Sequence, residues 1–193
     1  MRPWFGAMIL AGALAGGPVS AAELFAPAPI DEVSVRSLPV FTVVETETTG
    51  PIDTAWQKGF QAGARFAALA GSGLNTPTII TFPDWEKTPS ADGKVHVLIE
   101  CLLDPLPSFP SVRDPDAAVR DLPGMTVACY AERGSYSPAA FAAGLKQIQA
   151  YLKARHIPQV GPPRYLYYAT TSWMPSWWKV GEVQVPIAGG AGG

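Results

Sequence analysis

The first half of this chain reads as one strand, one helix and two further strands. β-branched and apolar residues over 38–47 predict a strand, and apolar positions at helical spacing predict a helix from Pro51 to about Ala70. Two apolar stretches over 76–82 and 94–102, separated by turn residues, predict the two strands that follow. The order of elements is therefore β-α-β-β.

The second half repeats that order. A strand is predicted over 125–132, and Ser137-Pro138 provides an N-cap and a proline at the first helical position for a helix that ends near His156. Two more strands are predicted over 164–170 and 182–187. The helix carries one apolar stripe, formed by Phe141, Leu145, Ile148 and Leu152.

The two halves also align without gaps at an offset of 84 residues. The identical positions are Leu38, Pro39, Thr42, Val43 and Gly50, which fall on Leu122, Pro123, Thr126, Val127 and Gly134. We therefore predict an α+β fold of duplicated βαββ units with pseudo-twofold symmetry, in which antiparallel sheet packs against two helices. The groove between the halves is the expected ligand site. Gly59 and Gly63 are expected to allow close packing of the first helix on the sheet.

The N-terminus is typical of an export signal. A basic residue, an apolar run to Ala15, helix breakers and small residues predict a signal peptide over 1–22, cleaved after Ala22. The alternative is an uncleaved membrane anchor, although the run is shorter than the roughly 20 residues of a spanning helix. We expect a periplasmic or secreted protein without stable membrane insertion. It would comprise an extension over 23–37, a ligand-binding domain over 38–187 (halves 38–103 and 122–187) and a disordered tail over 188–193.

Charge and cysteine content restrict the function further. The net charge is −2 and no run of Lys or Arg occurs, which argues against nucleic acid as a partner. Outside the cytoplasm, Cys101 and Cys129 could form a disulfide if their strands are neighbours; two buried free thiols are the alternative.

The chain contains no sequence motif for catalysis. Nucleophile-elbow, P-loop, zincin and dinucleotide-binding patterns do not occur in it. We therefore predict no catalytic residue and a non-enzymatic protein, with a hydrolase using a groove carboxylate as the alternative.

Aromatic residues are concentrated between Tyr165 and Val185. Some of them belong in the core, but a loop with this many rings exposes an apolar patch, and such patches mark binding sites. Flat aromatic faces suit a flat ligand or a cation. The predicted ligand-binding residues in this segment are Tyr168, Trp173, Trp177, Trp178 and Glu182.

Residues 173–183, WMPSWWKVGEV, resemble the C-terminal signature of the SOUL haem-binding proteins. That signature reads roughly P-P-W-T, four mainly apolar residues, then R-R-N-E-V. Trp173 and Glu182 keep its spacing, whereas Thr171-Ser172, Val180 and Gly181 depart from it. The resemblance implies a module that binds haem or another tetrapyrrole.

The related GyrI-like effector-binding domains share the duplicated βαββ plan. Their resemblance implies an alternative ligand, a cationic or amphipathic small molecule, because they carry an acidic residue in the last strand region that is used toward organic cations. Glu182 matches that residue.

One further site residue is predicted in the strand over 94–102. His96 and Glu100 share a face of this strand, and aligning Val97 with Val183 places His96 opposite Glu182. We therefore expect His96 in the groove, where it would be the metal ligand if haem binds through histidine. A structural His96, or haem held without a protein ligand to iron, are the alternatives.

Overall fold

The computed structural model describes residues 25–71, 74–84, 95–103, 114–134, 136–168 and 174–189. The predicted signal peptide, most of the predicted tail and Trp173 lie outside these residues. Among them, no helix has the length and apolarity needed to cross a membrane.

The first half contains a βαββ unit preceded by one extra strand. Its helix, α1 (Ile52–Ala70), is capped at the C-terminus by Gly71, whose φ of 69° is in the left-handed region that glycine adopts without strain. The elements are β1 (Val33–Leu38), β2 (Phe41–Gly50), α1 (Ile52–Ala70), β3 (Leu74–Thr81) and β4 (Val95–Leu103).

The second half has the same plan. Its helix, α2 (Pro138–Arg155), begins as predicted. The Ser137 hydroxyl accepts a hydrogen bond from the Ala140 N–H at 3.1 Å, and Pro138 occupies the first turn. A short 3₁₀ turn over 176–178 separates the last two strands. The elements are β5 (Ala118–Leu122), β6 (Met125–Arg133), α2 (Pro138–Arg155), β7 (Arg164–Tyr167) and β8 (Val180–Ile187).

The eight strands within the described residues form one antiparallel sheet in the order β1-β6-β8-β7-β3-β4-β2-β5. Replacing each strand by its counterpart in the other half (β1 by β5, β2 by β6, β3 by β7 and β4 by β8) gives the same order read from the opposite edge, so a pseudo-twofold axis passes between β7 and β3. The predicted fold class, duplicated βαββ units with antiparallel sheet against two helices, is confirmed.

The halves exchange their edge strands. β1 leads into β2 but pairs with β6, and β5 leads into β6 but pairs with β2. Residues 33–37 were expected in an extension, and no strand was expected over 118–121. Both strands are short, with six and five residues, and β5 is exposed along most of its length, so neither provides the long apolar pattern by which a strand is recognised in sequence.

Each helix lies close to the sheet because a glycine faces it. A Cβ added at Gly59 would lie 2.3 Å from Cγ1 of Ile99, and one added at Gly144 would lie 2.7 Å from Cγ2 of Val183. At Gly63 the nearest atom would be Sγ of Cys101 at 3.2 Å. The expectation that Gly59 and Gly63 mark close packing of helix on sheet is confirmed.

Cys101 and Cys129 are buried free thiols. Cys101 lies beneath α1, whereas Cys129 belongs to the cluster of buried residues on the other face of the sheet. Their strands, β4 and β6, are four positions apart in the sheet, or about 19 Å at the usual strand spacing. This separation rules out the disulfide that the sequence left open.

We predict that Gly59→Ala destabilises the protein by about 2 kcal/mol, since the added methyl group overlaps Ile99. Urea unfolding followed by circular dichroism measures the change. Gly50→Ala serves as the control because a Cβ there meets nothing within 4 Å. Equal stability of the two variants would contradict the packing described.

We also predict that both thiols react with Ellman's reagent only after the protein is unfolded. Burial removes access, and desolvation raises the pKa of the Cys101 thiol to about 12, so little thiolate forms. The measurement compares native and guanidinium-unfolded protein without reductant. Unfolded protein that contains no titratable thiol would show that a disulfide has formed.

Candidate functional site

Alternation along the central strands gives the sheet two different faces. Val183, Tyr165, Ile80 and Ile99 form one row of cross-strand neighbours, which packs beneath the helices. The next row, formed by Glu182, Leu166, Ile79 and Glu100, points to the opposite side, which we call the far face. Neighbouring residues of β8 thus lie on opposite faces of the sheet.

The helix face carries a cluster of aromatic rings between α1 and α2, next to the pseudo-twofold axis. The ring centroid of Trp56 lies 5.6 Å from that of Phe60, on which it stacks, and 5.6 Å from that of Tyr167. Tyr136 stacks flat on Tyr167, with ring centroids 4.1 Å apart and an interplanar angle of 4°. Four of the rings are partly exposed. We call this cluster the aromatic cleft; it consists of Trp56, Phe60, Tyr136, Phe141, Tyr165 and Tyr167.

Two polar groups at the cleft have no hydrogen-bond partner among the described residues. These are the buried Nε1 of Trp56 and the buried Oε1 of Glu132. Glu132 pairs across the sheet with Gly181, which in turn pairs with Tyr167. Glu132 therefore lies in the same cross-strand row as Tyr167 of the aromatic cleft. Burial, with a smaller effect of Asp31, raises the pKa of Glu132.

The far face holds Glu182, which is fully buried. Its Oε2 accepts the Ala28 N–H and the Tyr168 hydroxyl, each at 2.8 Å, and its Oε1 accepts Gln184 Nε2 at 2.7 Å. Arg36 forms a salt bridge with the same Oε1. Burial lowers the pKa of Arg36, but Glu182 and the other acidic groups beside it outweigh that effect, and the pKa is raised.

The buried polar groups continue from Glu182 toward the middle of the sheet. Arg164 Nη2 donates to Gln184 Oε1 at 2.6 Å, and Thr81 donates to Glu100 Oε2 at 2.9 Å. Burial is the largest influence on Glu100 and raises its pKa to about 7, against the opposing effects of Arg164 and Thr81. Burial also lowers the pKa of Arg164. Because these side chains are buried among apolar residues, the charged form of each is stabilised only by the polar or oppositely charged groups beside it.

The predicted ligand-binding residues separate into two groups. Tyr168 and Glu182 are brought together by their hydrogen bond on the far face. Trp177 and Trp178 lie in the 3₁₀ turn between β7 and β8 with 66% and 62% of their surface exposed. Trp173 lies outside the described residues. The role of these residues in ligand binding stays a prediction.

His96 does not lie beside Glu182. Its Nε2 is 2.8 Å from Glu47 and its Nδ1 is 3.3 Å from Asp84, so carboxylates hold both ring nitrogens. Strands β4 and β8 are three positions apart, or about 14 Å. No group of three His, Cys, Asp or Glu within the described part of the chain is arranged to hold a metal ion.

The symmetry argument that placed His96 opposite Glu182 is wrong by two residues. Glu45 pairs with Glu100, and Cys129, 84 residues after Glu45, pairs with Gln184. Glu100 is therefore equivalent to Gln184, and the counterpart of Glu182 is Leu98. The registers within the sheet determine this offset, and sequence alignment of short strands does not.

Tyr165 and Tyr167 belong to the aromatic segment noted in the sequence, but Trp56, Tyr136 and Glu132 were not predicted as site residues. Trp56 occupies an apolar position of a helix, where a core role is the ordinary interpretation, and Tyr136 lies in a short connection. Glu132 ends a strand, where acidic residues are usually solvated. Their proximity follows from the pairing of β6, β8 and β7.

Two surface cavities lie away from the cleft. One of about 490 Å³ opens where β1, β6 and β8 end, and one of about 320 Å³ opens between α1 and β2. None of their lining residues is aromatic. In this structure the cleft rings are packed against one another.

The fold is similar to several solved structures. The C-terminal domain of EcmrR has a TM-score of 0.66 at 14% identity, over 81% of this chain and 97% of that one. A hydrolase encoded by lin2189 from Listeria innocua has a TM-score of 0.62 at 10% identity, over 83% and 94%. SAV2435 bound to tetraphenylphosphonium has a TM-score of 0.52 at 17% identity, over 82% and 94%.

The chain matches no protein-family model and no curated protein. Because the identities to the solved structures are low, the similarity shows the fold alone. This is the duplicated βαββ fold that the GyrI-like resemblance implied. The comparisons do not bear on the SOUL resemblance or on haem. The non-enzymatic character also stays a prediction, since two structures of the same fold from Listeria innocua are described as hydrolases.

We predict that the buried carboxyl of Glu100 makes stability fall with rising pH. Its folded pKa of about 7 lies above the ordinary value of 4.5, so its contribution is complete below pH 4.5 and is lost as the pH rises through 7. The loss amounts to about 3 kcal/mol at most. Urea unfolding of wild type and Glu100→Gln from pH 5 to pH 8 measures it.

The free energy of unfolding of Glu100→Gln should increase relative to that of the wild type as the pH rises. Glu32→Gln, which changes an exposed carboxylate, is the control and should follow the wild-type profile. A constant difference between wild type and Glu100→Gln would show that Glu100 titrates as an ordinary carboxyl group.

Proposed function

We propose that this protein binds a small organic cation with aromatic groups in the aromatic cleft. The observation that carries the proposal is the combination of partly exposed rings with two unpartnered polar groups, Trp56 Nε1 and Glu132 Oε1. Ring faces attract cations, and an unpaired carboxylate in a partly dry site strengthens that attraction. The class agrees with the cationic ligand implied by the GyrI-like resemblance. If the predicted signal peptide is cleaved, binding would take place in the periplasm or outside the cell.

Similarity of fold supports the same class of ligand. SAV2435, which has this fold, was solved with tetraphenylphosphonium, a cation surrounded by four phenyl rings. We extend this class of ligand to the present protein as part of the proposal. It makes tetraphenylphosphonium a suitable first probe.

Binding in the cleft requires one ring to move. Tyr136 lies ahead of α2, outside the helices and strands, and its ring covers Tyr167 at 4.1 Å. Its displacement costs the hydrogen bond from its hydroxyl to the Val180 carbonyl at 3.1 Å, the edge contact with Tyr165 and the approach of Lys179 Nζ to within 5.8 Å of the ring centroid. It breaks no element of the fold. A flat group of the ligand then takes the place of Tyr136 on Tyr167, beside Trp56.

Haem does not fit the residue predicted to ligate it. Both ring nitrogens of His96 face carboxylates, and His96 lies on the far face, away from the cleft. Haem remains an implication of the SOUL resemblance and iron ligation by His96 remains a prediction; the titration below tests both as a separate outcome.

We predict that tetraphenylphosphonium binds the protein saturably and that Trp56→Leu weakens binding about tenfold. Glu132→Gln should weaken it by a similar factor, since a desolvated cation–π or charge contact contributes about 1–2 kcal/mol. Isothermal titration calorimetry measures the affinities, and quenching of tryptophan fluorescence reports contact. Trp178→Leu is the matched control, because that ring is exposed and outside the cleft.

A neutral probe separates the effect of charge from that of shape. Triphenylphosphine oxide should lose affinity in Trp56→Leu but not in Glu132→Gln. Binding that depends on Trp178 and not on Trp56 would overturn the cleft in favour of the 3₁₀ turn. A saturable Soret shift with one equivalent of haemin, without binding of the phosphonium, would favour the tetrapyrrole; its loss in His96→Ala would identify the iron ligand.

A further inference from the structure

The connection between β7 and β8 exposes two neighbouring tryptophans. Trp177 and Trp178 belong to a 3₁₀ turn of three residues, and 66% and 62% of their surfaces are exposed. The Trp178 N–H donates to the Pro175 carbonyl at 3.0 Å and closes the turn, which we call the Trp turn (Ser176–Trp178). Tryptophan is highly buried in most folded proteins. Two adjacent exposed indoles therefore indicate a surface that binds a partner.

Hydrogen bonds fix the backbone at the base of the Trp turn. Val180 begins β8 and pairs with Arg133 at the end of β6. The Gly134 N–H donates to the Lys179 carbonyl at 3.1 Å, and the Tyr168 N–H donates to the Val180 carbonyl at 3.4 Å. The two indoles are thus presented from a fixed position, where β7 ends and β8 begins.

Cationic side chains lie beside the Trp turn. Lys179 follows it directly, and the exposed Arg133 is the cross-strand partner of Val180. Lys179 Nζ lies 5.8 Å from the centroid of the Tyr136 ring, and within the described part of the chain it forms no salt bridge. The neighbouring carboxyl group, that of Glu132, is partly buried in the aromatic cleft. The groups that flank the exposed rings are therefore suited to an anionic surface.

The Trp turn fits a lipid surface better than a protein surface. The two rings together expose on the order of 300 Å², whereas each partner contributes roughly 800 Å² to a stable protein interface. A bilayer requires no complementary shape. Indole rings favour the headgroup region because the ring is apolar and its N–H finds acceptors there. Lys and Arg beside such rings add attraction to anionic lipid.

We propose that the Trp turn docks this protein reversibly on a bilayer surface that contains anionic lipid. The rings of Trp177 and Trp178 enter the headgroup region, and Lys179 and Arg133 lie against the lipid phosphates. This contact is peripheral, so it agrees with the expectation of no stable membrane insertion. The predicted export would bring the mature chain beside such a surface.

Docking through the Trp turn brings the aromatic cleft to the lipid headgroups. The Val180 carbonyl, two residues after the turn, accepts the hydroxyl of Tyr136 at 3.1 Å. Tyr136 carries the ring whose movement opens the cleft, and organic cations concentrate at an anionic membrane surface. This consequence rests on the proposed function, whereas the docking does not.

Binding to vesicles in the absence of any cationic ligand tests the proposal. The full chain is expressed with its own N-terminus and purified as the cell processes it. Cosedimentation measures its affinity for vesicles of phosphatidylethanolamine and phosphatidylglycerol in a ratio of about 7:3. Trp177→Ser combined with Trp178→Ser should weaken binding by about tenfold or more, because both rings are lost from the headgroup region.

Charge and ring insertion are measured separately. Lys179→Gln should weaken binding to these vesicles by about fivefold and leave binding to pure phosphatidylcholine vesicles unchanged, since it removes one charge from an anionic surface. Lipids brominated near the headgroup should quench tryptophan fluorescence in the wild type, and the double variant should lose this quenching.

Val160→Ser is the matched control. Its side chain is 63% exposed, and its N–H donates to the Pro186 carbonyl at 2.9 Å near the opposite end of β8, so this variant should bind vesicles as the wild type does. Circular dichroism verifies that every variant is folded.

Equal vesicle binding and equal quenching in the wild type and the double variant overturn the proposal. So does a wild type that does not bind vesicles. Self-association that the double variant loses, measured by sedimentation velocity and found without vesicle binding, would instead assign the Trp turn to a contact between copies of this protein.

Discussion

Pairing of β3 with β7 is the constraint on which the rest of this structure depends. A single βαββ unit leaves both edges of its three-stranded sheet unpaired, and such a small sheet is only marginally stable alone. The four-residue register from Thr78 to Thr81 joins the two units into one sheet and places both helices on the same side. The reciprocal exchange of β1 and β5 then ties each half to the other, so that neither unit can separate without losing an edge strand.

One continuous sheet with both helices on one side necessarily has two different faces. Strand alternation sends Val183 toward α2 and its neighbour Glu182 to the far face, and it does the same for Ile99 and Glu100 in β4. The helix face collects aromatic rings next to the axis, where α1 and α2 approach β7. The far face collects paired charges within an apolar surround. The two candidate sites are thus consequences of the same pairing pattern.

The buried charges differ in how completely they are satisfied. Glu182 has four donors, which come from Ala28, β1, β8 and the residue after β7. Glu132 is only partly buried but has one oxygen without a partner among the described residues. Desolvation makes an unpaired polar group costly, and it also makes such a group ready for a ligand. This contrast supports the proposal that a ligand binds near Glu132, whereas both oxygens of Glu182 already accept hydrogen bonds from the chain itself.

Local patterns in the sequence determined the elements of this fold. Apolar periodicity located both helices and the six strands of the βαββ units, Ser137 and Pro138 marked the start of α2, and Gly59 indicated close packing, because each of these signals acts between residues near one another in the chain. Tertiary structure alone decided which side chains meet. Strand register made Leu98, and not His96, the residue of the first half that is equivalent to Glu182 in the second half. It also brought Arg36 to Glu182 across 146 residues of sequence and Glu132 into the row of Tyr167. A shift of one residue in pairing sends a side chain to the other face, and the energy that selects the register comes from the packing of the whole sheet.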